Sequence, residues 1–135
     1  MYRWLLIQIS SILVATVIGI VILGEILTGP ASTAVGVLIP DFPVEAVQIA
    51  ADHDHKVHGW LARGSRGNGV VLLVHSIRSN RLEMLGRARF LNNQGYGVLL
   101  IDLQAHGETP GERITFGVRE SEDVKAAVSY LRNNF

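Results

Sequence analysis

The apolar positions of the chain follow two different patterns. From Trp4 to Leu23 (WLLIQISSILVATVIGIVIL), 20 residues run without a charge. Gln8, Ser10, Ser11 and Thr16 form no continuous polar stripe of the kind a surface helix turns to water. A helix rising about 1.5 Å per residue crosses a hydrocarbon core of about 30 Å with roughly that many residues. Residues 1–29 are therefore predicted to be a transmembrane helix. It ends at Thr28-Gly29-Pro30, where proline lacks an N–H and glycine takes the terminal conformation cheaply. Tyr2 and Trp4 stand where interfacial aromatic residues belong.

After this segment the apolar residues come in short runs. Residues 30–43, with Pro40 and Pro43, read as a linker, and residues 44–135 as one domain. Val44–Ala51 and Lys56–Ala62 (KVHGWLA) alternate like the two strands of a hairpin around a polar turn at Asp52-His53-Asp54-His55. Arg63–Gly69 is a glycine-rich connection. Val70–Val74 (VVLLV) is continuously aliphatic, as in a strand covered on both faces. Leu82–Asn93 has Leu82, Leu85, Ala88, Phe90 and Leu91 near helical spacing, and Tyr96–Ile101 (YGVLLI) is a second buried strand. Gly117–Asn133 brings Val118, Ser121, Val124, Ala127, Val128 and Leu131 to one face, with acids early and Arg132 late, as the helix dipole favours. Strand, helix, strand, helix with covered strands predicts an α/β fold whose strands are joined in parallel by right-handed crossovers.

Charge and composition then exclude several functions. Twelve basic and 12 acidic residues give a net charge of zero, so no nucleic-acid partner is expected. The absence of cysteine removes disulfides, thiolate catalysis and zinc–thiolate sites. Arg3 precedes the apolar span and the next basic residue is Lys56, with Asp41, Glu45, Asp52 and Asp54 in the stretch between. Positive charge stays on the cytoplasmic side, so a single-pass protein is expected, its N-terminus cytoplasmic and its domain outside, periplasmic or extracellular. A cleaved signal peptide, cut near Ser32-Thr33-Ala34, is the competing reading. The apolar run exceeds the about 7–15 residues such a peptide needs, which favours an uncleaved signal anchor.

In a parallel sheet, functional loops lie at the carboxyl ends of the strands. Two such loops carry chemistry: His75-Ser76-Ile77-Arg78, and Asp102 through Thr109 (DLQAHGET). The first offers backbone N–H groups of the kind that stabilise a tetrahedral oxyanion, or is an ordinary strand-to-helix turn. The second gathers a carboxylate, an imidazole and a glycine, or is a structural loop whose His106 satisfies backbone carbonyls. Ser76 next to His75 is a poor nucleophile–base pair, because neighbours on an extended chain point opposite ways. Arg63-Gly64-Ser65-Arg66-Gly67 imitates a nucleophile elbow but lacks its first glycine and precedes a strand, so Ser65 reads as a loop serine. Asp52, His53, Asp54, His55 and His58 could ligate a metal, yet they read better as a solvated turn, and no metal or cofactor is expected. Arg78 and Arg81 could meet an anion, but read better as surface residues. No phosphate-binding glycine pattern occurs.

In order and spacing, VVLLVHS, the helix through NNQGYG, then VLLID and AHGET resemble the α/β-hydrolase superfamily, specifically its serine-aminopeptidase and monoglyceride-lipase-like branch. The later ITFG…E…DV.AAVSYLR resembles the helix that leads to that family's nucleophile strand. The resemblance covers about half the chain, or about two thirds with the hairpin, and implies the N-terminal half of a hydrolase sheet. It implies that Ile77 supplies an oxyanion-hole N–H through its backbone. His75, Ser76, Asp102, His106 and Gly107 would be structural loop residues. Ser76 stands where the family usually has glycine, and Ala105 and Thr109 replace small family residues. The family's serine elbow, acid and catalytic histidine would fall after Phe135. The expectation is thus a fragment, inactive alone, whose full-length parent hydrolyses small-molecule ester, thioester or amide bonds. Two partners are expected, the membrane and, through an exposed sheet edge, a second copy. The alternative is a noncatalytic membrane-tethered interaction protein built on half the fold.

Overall fold

The computed structural model describes residues 2–35, 42–51, 55–65 and 67–135. Helix α1 (Tyr2–Thr28) is a single 27-residue rod with no buried residue. It is long and apolar enough to cross a membrane. The domain follows as β1 (Ala31–Ser32), β2 (Glu45–Ala50), β3 (Lys56–Ala62), β4 (Val70–Val74), α2 (Leu85–Asn93), β5 (Gly97–Ile101), β6 (His106–Gly107) and α3 (Glu120–Asn134).

The main sheet has the order β2-β3-β5-β4. β2 and β3 pair antiparallel as a hairpin, β3 runs antiparallel to β5, and β4 and β5 are parallel in the register Val70↔Gly97 to Val74↔Ile101. The α/β architecture and the parallel pair agree with the sequence pattern. β5 is an inner strand between β3 and β4, and Val98 to Ile101 are wholly buried. Burying an aliphatic side chain completely is worth about 1.5–3 kcal/mol, so this short strand anchors the domain.

Alternation along the strands divides the core in two. On one face Trp60, Ala62, Val98 and Leu100 meet Met84 and Ala88 of the α2 segment. On the other, Val57, Leu61, Leu99 and Ile101 meet Ala127 of α3, with Tyr130 and Leu131 beside it.

Two expectations need correction. Residues 30–43 are not a free tether at their described positions. Ala31 and Ser32 pair in parallel with His106 and Gly107, and Val35 and Phe42 are buried in the first core face. Local composition carries no sign of this, because the partners lie some 75 residues away. The last helix also starts later than Gly117, at Glu120, and Val118 and Ser121 are exposed. Its inner face carries Glu120, Asp123 and Ala127 instead. The Glu120 carboxylate accepts from the N–H groups of Thr115 (2.7 Å) and Gly117 (2.8 Å), capping the turn that delays the helix.

Candidate functional site

The loops after β4 and β5 lie side by side, and two imidazoles cross-link them. Nε2 of His75 accepts the Leu103 N–H (3.1 Å), so the ring proton sits on Nδ1, which donates to the Ser76 carbonyl (2.7 Å). Nε2 of His106 accepts the Arg78 N–H (3.0 Å), and its Nδ1 donates to the Gln104 carbonyl (2.8 Å). The rings lie 5.0 Å apart. Each must be neutral to hold both bonds. Burial lowers the pKa of His75 from its ordinary 6.5, in keeping with that role.

These bonds decide which loop N–H groups stay free. Ser76 is bound twice by Glu83, through its N–H (2.9 Å) and its hydroxyl (2.8 Å). The Glu83 carboxyl is held down to about 2, chiefly by the Ser76 N–H and then by the hydroxyls of Ser76 and Ser79. The Arg78 N–H is taken by His106. Between them, the Ile77 N–H has no acceptor among the described residues, and the residue is 51% exposed. The Ser76 hydroxyl faces the Glu83 carboxylate, a weak base at its lowered pKa, and no imidazole. Ser65 donates its N–H to the Gly95 carbonyl in the connection before β4.

The second loop is built around a buried ion pair. Asp102, wholly buried, accepts from the Arg81 N–H (2.7 Å), from Arg81 Nη1 and from the Glu108 N–H (2.9 Å). Arg81 Nη2 reaches Glu108, whose carboxyl it lowers, and the guanidinium lies 4.5 Å over the Trp60 ring. Gly107 has φ +51°, and a Cβ there would overlap the Asp102 carboxylate. Ala105, also in this loop, has φ +58° without glycine's freedom.

Arg81 thus corrects the surface reading, whereas Arg78 is exposed as that reading has it. Arg81 is 3% exposed, and Arg78 aims Nη1 at the carbonyls of Ile26 (3.1 Å), Leu27 (3.4 Å) and Gly29 (3.2 Å) at the end of α1. A cation suits those orphan carbonyls and the negative end of the helix dipole.

His55 is likewise not a solvated turn residue. Its Nε2 meets Oδ1 of buried Asp123 at 2.6 Å, and Oδ2 accepts the Gln104 N–H at 2.6 Å. Burial pushes the Asp123 carboxyl up against the lowering effect of these two partners. Asp52, His53 and Asp54 lie outside the described residues. His58 donates its N–H to Thr109 and accepts from Asp102 N–H through its carbonyl, a backbone role. Among the described residues no group of three or more ligating side chains gathers as a metal site would require. A cleft of about 750 Å³ opens beside His55, lined also by Gln104, Pro110, Val118 and Arg119.

Glu83, Glu108, Glu120 and Asp123 were not singled out by sequence. One signal existed: Asn80-x-x-Glu83 has the spacing of a capping box, and Asn80 does cap Leu82 (3.0 Å). Glu83 turns to Ser76 instead of closing the box.

No family model matches the chain. Among curated proteins, the uncharacterized protein YqkD of Bacillus subtilis (strain 168) is 24% identical over 88 residues, 65% of this chain and 29% of that protein. Among solved structures, the esterase Pf2001 of Pyrococcus furiosus is 30% identical with a TM-score of 0.70, covering 81% of this chain and 43% of the esterase. The α/β hydrolase GrgF from Penicillium sp. sh18 (20% identity, TM-score 0.60) matches 70% of this chain and 34% of its own, and a thioesterase domain from the curacin biosynthetic pathway (21%, TM-score 0.55) matches 66% and 32%. The chain spans less than half the length of each of these proteins.

Proposed function

We propose, for a chain that belongs to the α/β-hydrolase superfamily, that it is the membrane-anchored amino-terminal part of a serine hydrolase acting on ester, thioester or amide bonds. Its contribution to the chemistry is one donor of the oxyanion hole, the Ile77 N–H. The observation that carries this reading is the pattern of used and unused donors. At the carboxyl end of β4, Ser76 and Arg78 spend their N–H groups on Glu83 and His106, and Ile77 between them keeps its own. A preorganised N–H aimed at developing negative charge is worth about 10²–10³ in rate.

The 135 residues alone are proposed to be silent. Among the described residues no serine hydroxyl is hydrogen-bonded to an imidazole, and the carboxylate that Ser76 meets is a weak base at about 2, so no Ser–His pair supports a nucleophile. The anchor reading is supported by the docking of β1. Cleavage near Ser32–Ala34 would sever a segment whose Ala31 and Thr33 are hydrogen-bonded to the loop that holds His106 and Gly107. The test uses a longer polypeptide that supplies the rest of the fold and is labelled by a fluorophosphonate. Ile77→Ala keeps the N–H and should label at nearly the parental rate, whereas Ile77→Pro removes it and should slow labelling by about 10²-fold or more. Equal rates for the two variants, or labelling of the 135-residue chain itself, would refute the proposal.

A second reading, self-association without catalysis, has one observation in its favour. β4 is the last strand of its sheet, and among the described residues nothing pairs with its outer edge. An open, aliphatic edge strand recruits another chain. A stable monomer of the detergent-solubilised chain, measured by light scattering, would count against it.

A further inference from the structure

We infer that the loops of the candidate site are held against the bilayer surface, with Phe116 and Val118 inserted at the lipid interface. This rests on the anchor reading above and extends it to the orientation of the domain.

The inference starts from the foot of α1. Twenty uncharged residues end at Leu23, and the five residues from there to Thr28 rise about 7 Å further. The interfacial layer on each side of a bilayer is about 5–8 Å thick, the difference between a 30 Å core and the 40–45 Å total. Glu25 to Gly29 therefore lie at headgroup depth when Trp4–Leu23 spans. Whatever bonds to them lies there too.

Three groups from the domain do so. Arg78 Nη1 binds the carbonyls of Ile26, Leu27 and Gly29. Arg113 clamps Glu25 through Nη2 (2.7 and 2.6 Å) and binds the Thr28 hydroxyl through Nη1 (3.0 Å). The Ile114 N–H donates to the Thr28 carbonyl at 2.7 Å. Just past the helix, Ala31 N–H donates to the Ala105 carbonyl (2.8 Å) and Thr33 N–H to Gly107 (2.9 Å). The anchor thus grips both candidate loops directly, with no slack between them.

The exposed apolar side chains near these clamps match that placement. Ile77 adjoins Arg78, and Phe116 (64% exposed) and Val118 (74%) follow Ile114 by two and four residues. Consecutive Cα atoms are 3.8 Å apart, so Phe116 cannot be far from a backbone bonded to Thr28. Exposed on a soluble protein these side chains would be a liability; at an interface their burial is favourable. A substrate reaching Ile77 would then come from the membrane side, which fits an amphiphilic acyl compound.

The chain lacks cysteine, so single nitroxide labels can be placed cleanly at Val14→Cys, Phe116→Cys, Val118→Cys and Phe90→Cys. Phe90, exposed on α2, is the aqueous control. The full chain is reconstituted in phosphatidylcholine–phosphatidylglycerol vesicles, and collision rates with oxygen and with a water-soluble nickel chelate are compared. The expected oxygen-to-nickel ratio at Phe116 and Val118 is several-fold above that at Phe90 and nearer to that at Val14. In the Arg78→Ala, Arg113→Ala background the excess at Phe116 and Val118 should fall while Val14 is unchanged. Val14 in lipid with Phe116 and Val118 as nickel-accessible as Phe90 overturns this inference and leaves the anchor standing. Val14 in water overturns both.

Discussion

Replacing Asp102 by asparagine tests whether the buried ion pair organises the second loop. The aspartate receives the Arg81 N–H, Arg81 Nη1 and the Glu108 N–H. Asparagine offers one carbonyl oxygen to these donors and turns an NH₂ toward the others. It also leaves a guanidinium that is 3% exposed without its buried counter-charge. Breaking a buried pair from one side costs about 3–5 kcal/mol. Arg81 keeps Glu108 and the Trp60 ring, so the lower end, about 3 kcal/mol, is expected. For a domain of this size, each kcal/mol moves Tm by about 4–8 °C, so the midpoint should fall by roughly 12–24 °C. Trp60 stacks on Arg81 and reports the local state by fluorescence in a Trp4→Phe background, with the full chain in detergent. Adding Arg81→Met removes the stranded charge, together with a buried Nε that has no partner in the structure. The double variant should therefore recover more than about 1 kcal/mol relative to the sum of the singles. A single-variant loss under about 1 kcal/mol, or strict additivity, refutes the reasoning.

Further outcomes follow from the same geometry. Gly107→Ala must shift the loop to clear the Asp102 carboxylate and should cost at least about 2 kcal/mol in thermal unfolding. Ala105→Gly removes about 1–2 kcal/mol of left-handed strain but frees the unfolded chain by about 0.4–1 kcal/mol, so its melting point should be unchanged or slightly raised. The folded pKa of His75 lies below 6.5, so its contribution to stability is complete above pH 6.5 and is lost as pH falls from there through the lowered value. Stability that held constant from pH 7.5 to 5 would contradict this. The contribution of Glu83, depressed to about 2, is present above its ordinary 4.5 and lost only below that, so Glu83→Gln should flatten the acid limb under pH 4.5 and keep a His75 limb, moved to slightly lower pH by loss of the Glu83 charge. Asp123→Asn keeps an acceptor for the Gln104 N–H and should be mild, whereas Asp123→Leu orphans that donor and should cost about 1–3 kcal/mol more in urea unfolding.

The sequence alone determined what depends on near neighbours. The charge-free run to Leu23 could only be a long apolar helix, and Val70–Val74 and Lys56–Ala62 became strands at the expected bounds because β-branched and alternating residues fit a pleated, covered surface. The order of short aliphatic strands and amphipathic helices was enough for an α/β fold, and its spacing with His75, Asp102 and Gly107 was enough for the superfamily. Tertiary structure decided which polar groups meet. Arg78 reaches carbonyls about 50 residues back, Arg113 reaches Glu25 across 88, and His55 reaches Asp123 across 68. Nothing periodic marks such partners, because a salt bridge or a shared N–H depends on distance in space and not on spacing in the chain. The resemblance had already pointed to the Ile77 N–H, but why it is free was visible only in three dimensions, because Glu83 and His106 occupy the donors on either side of it.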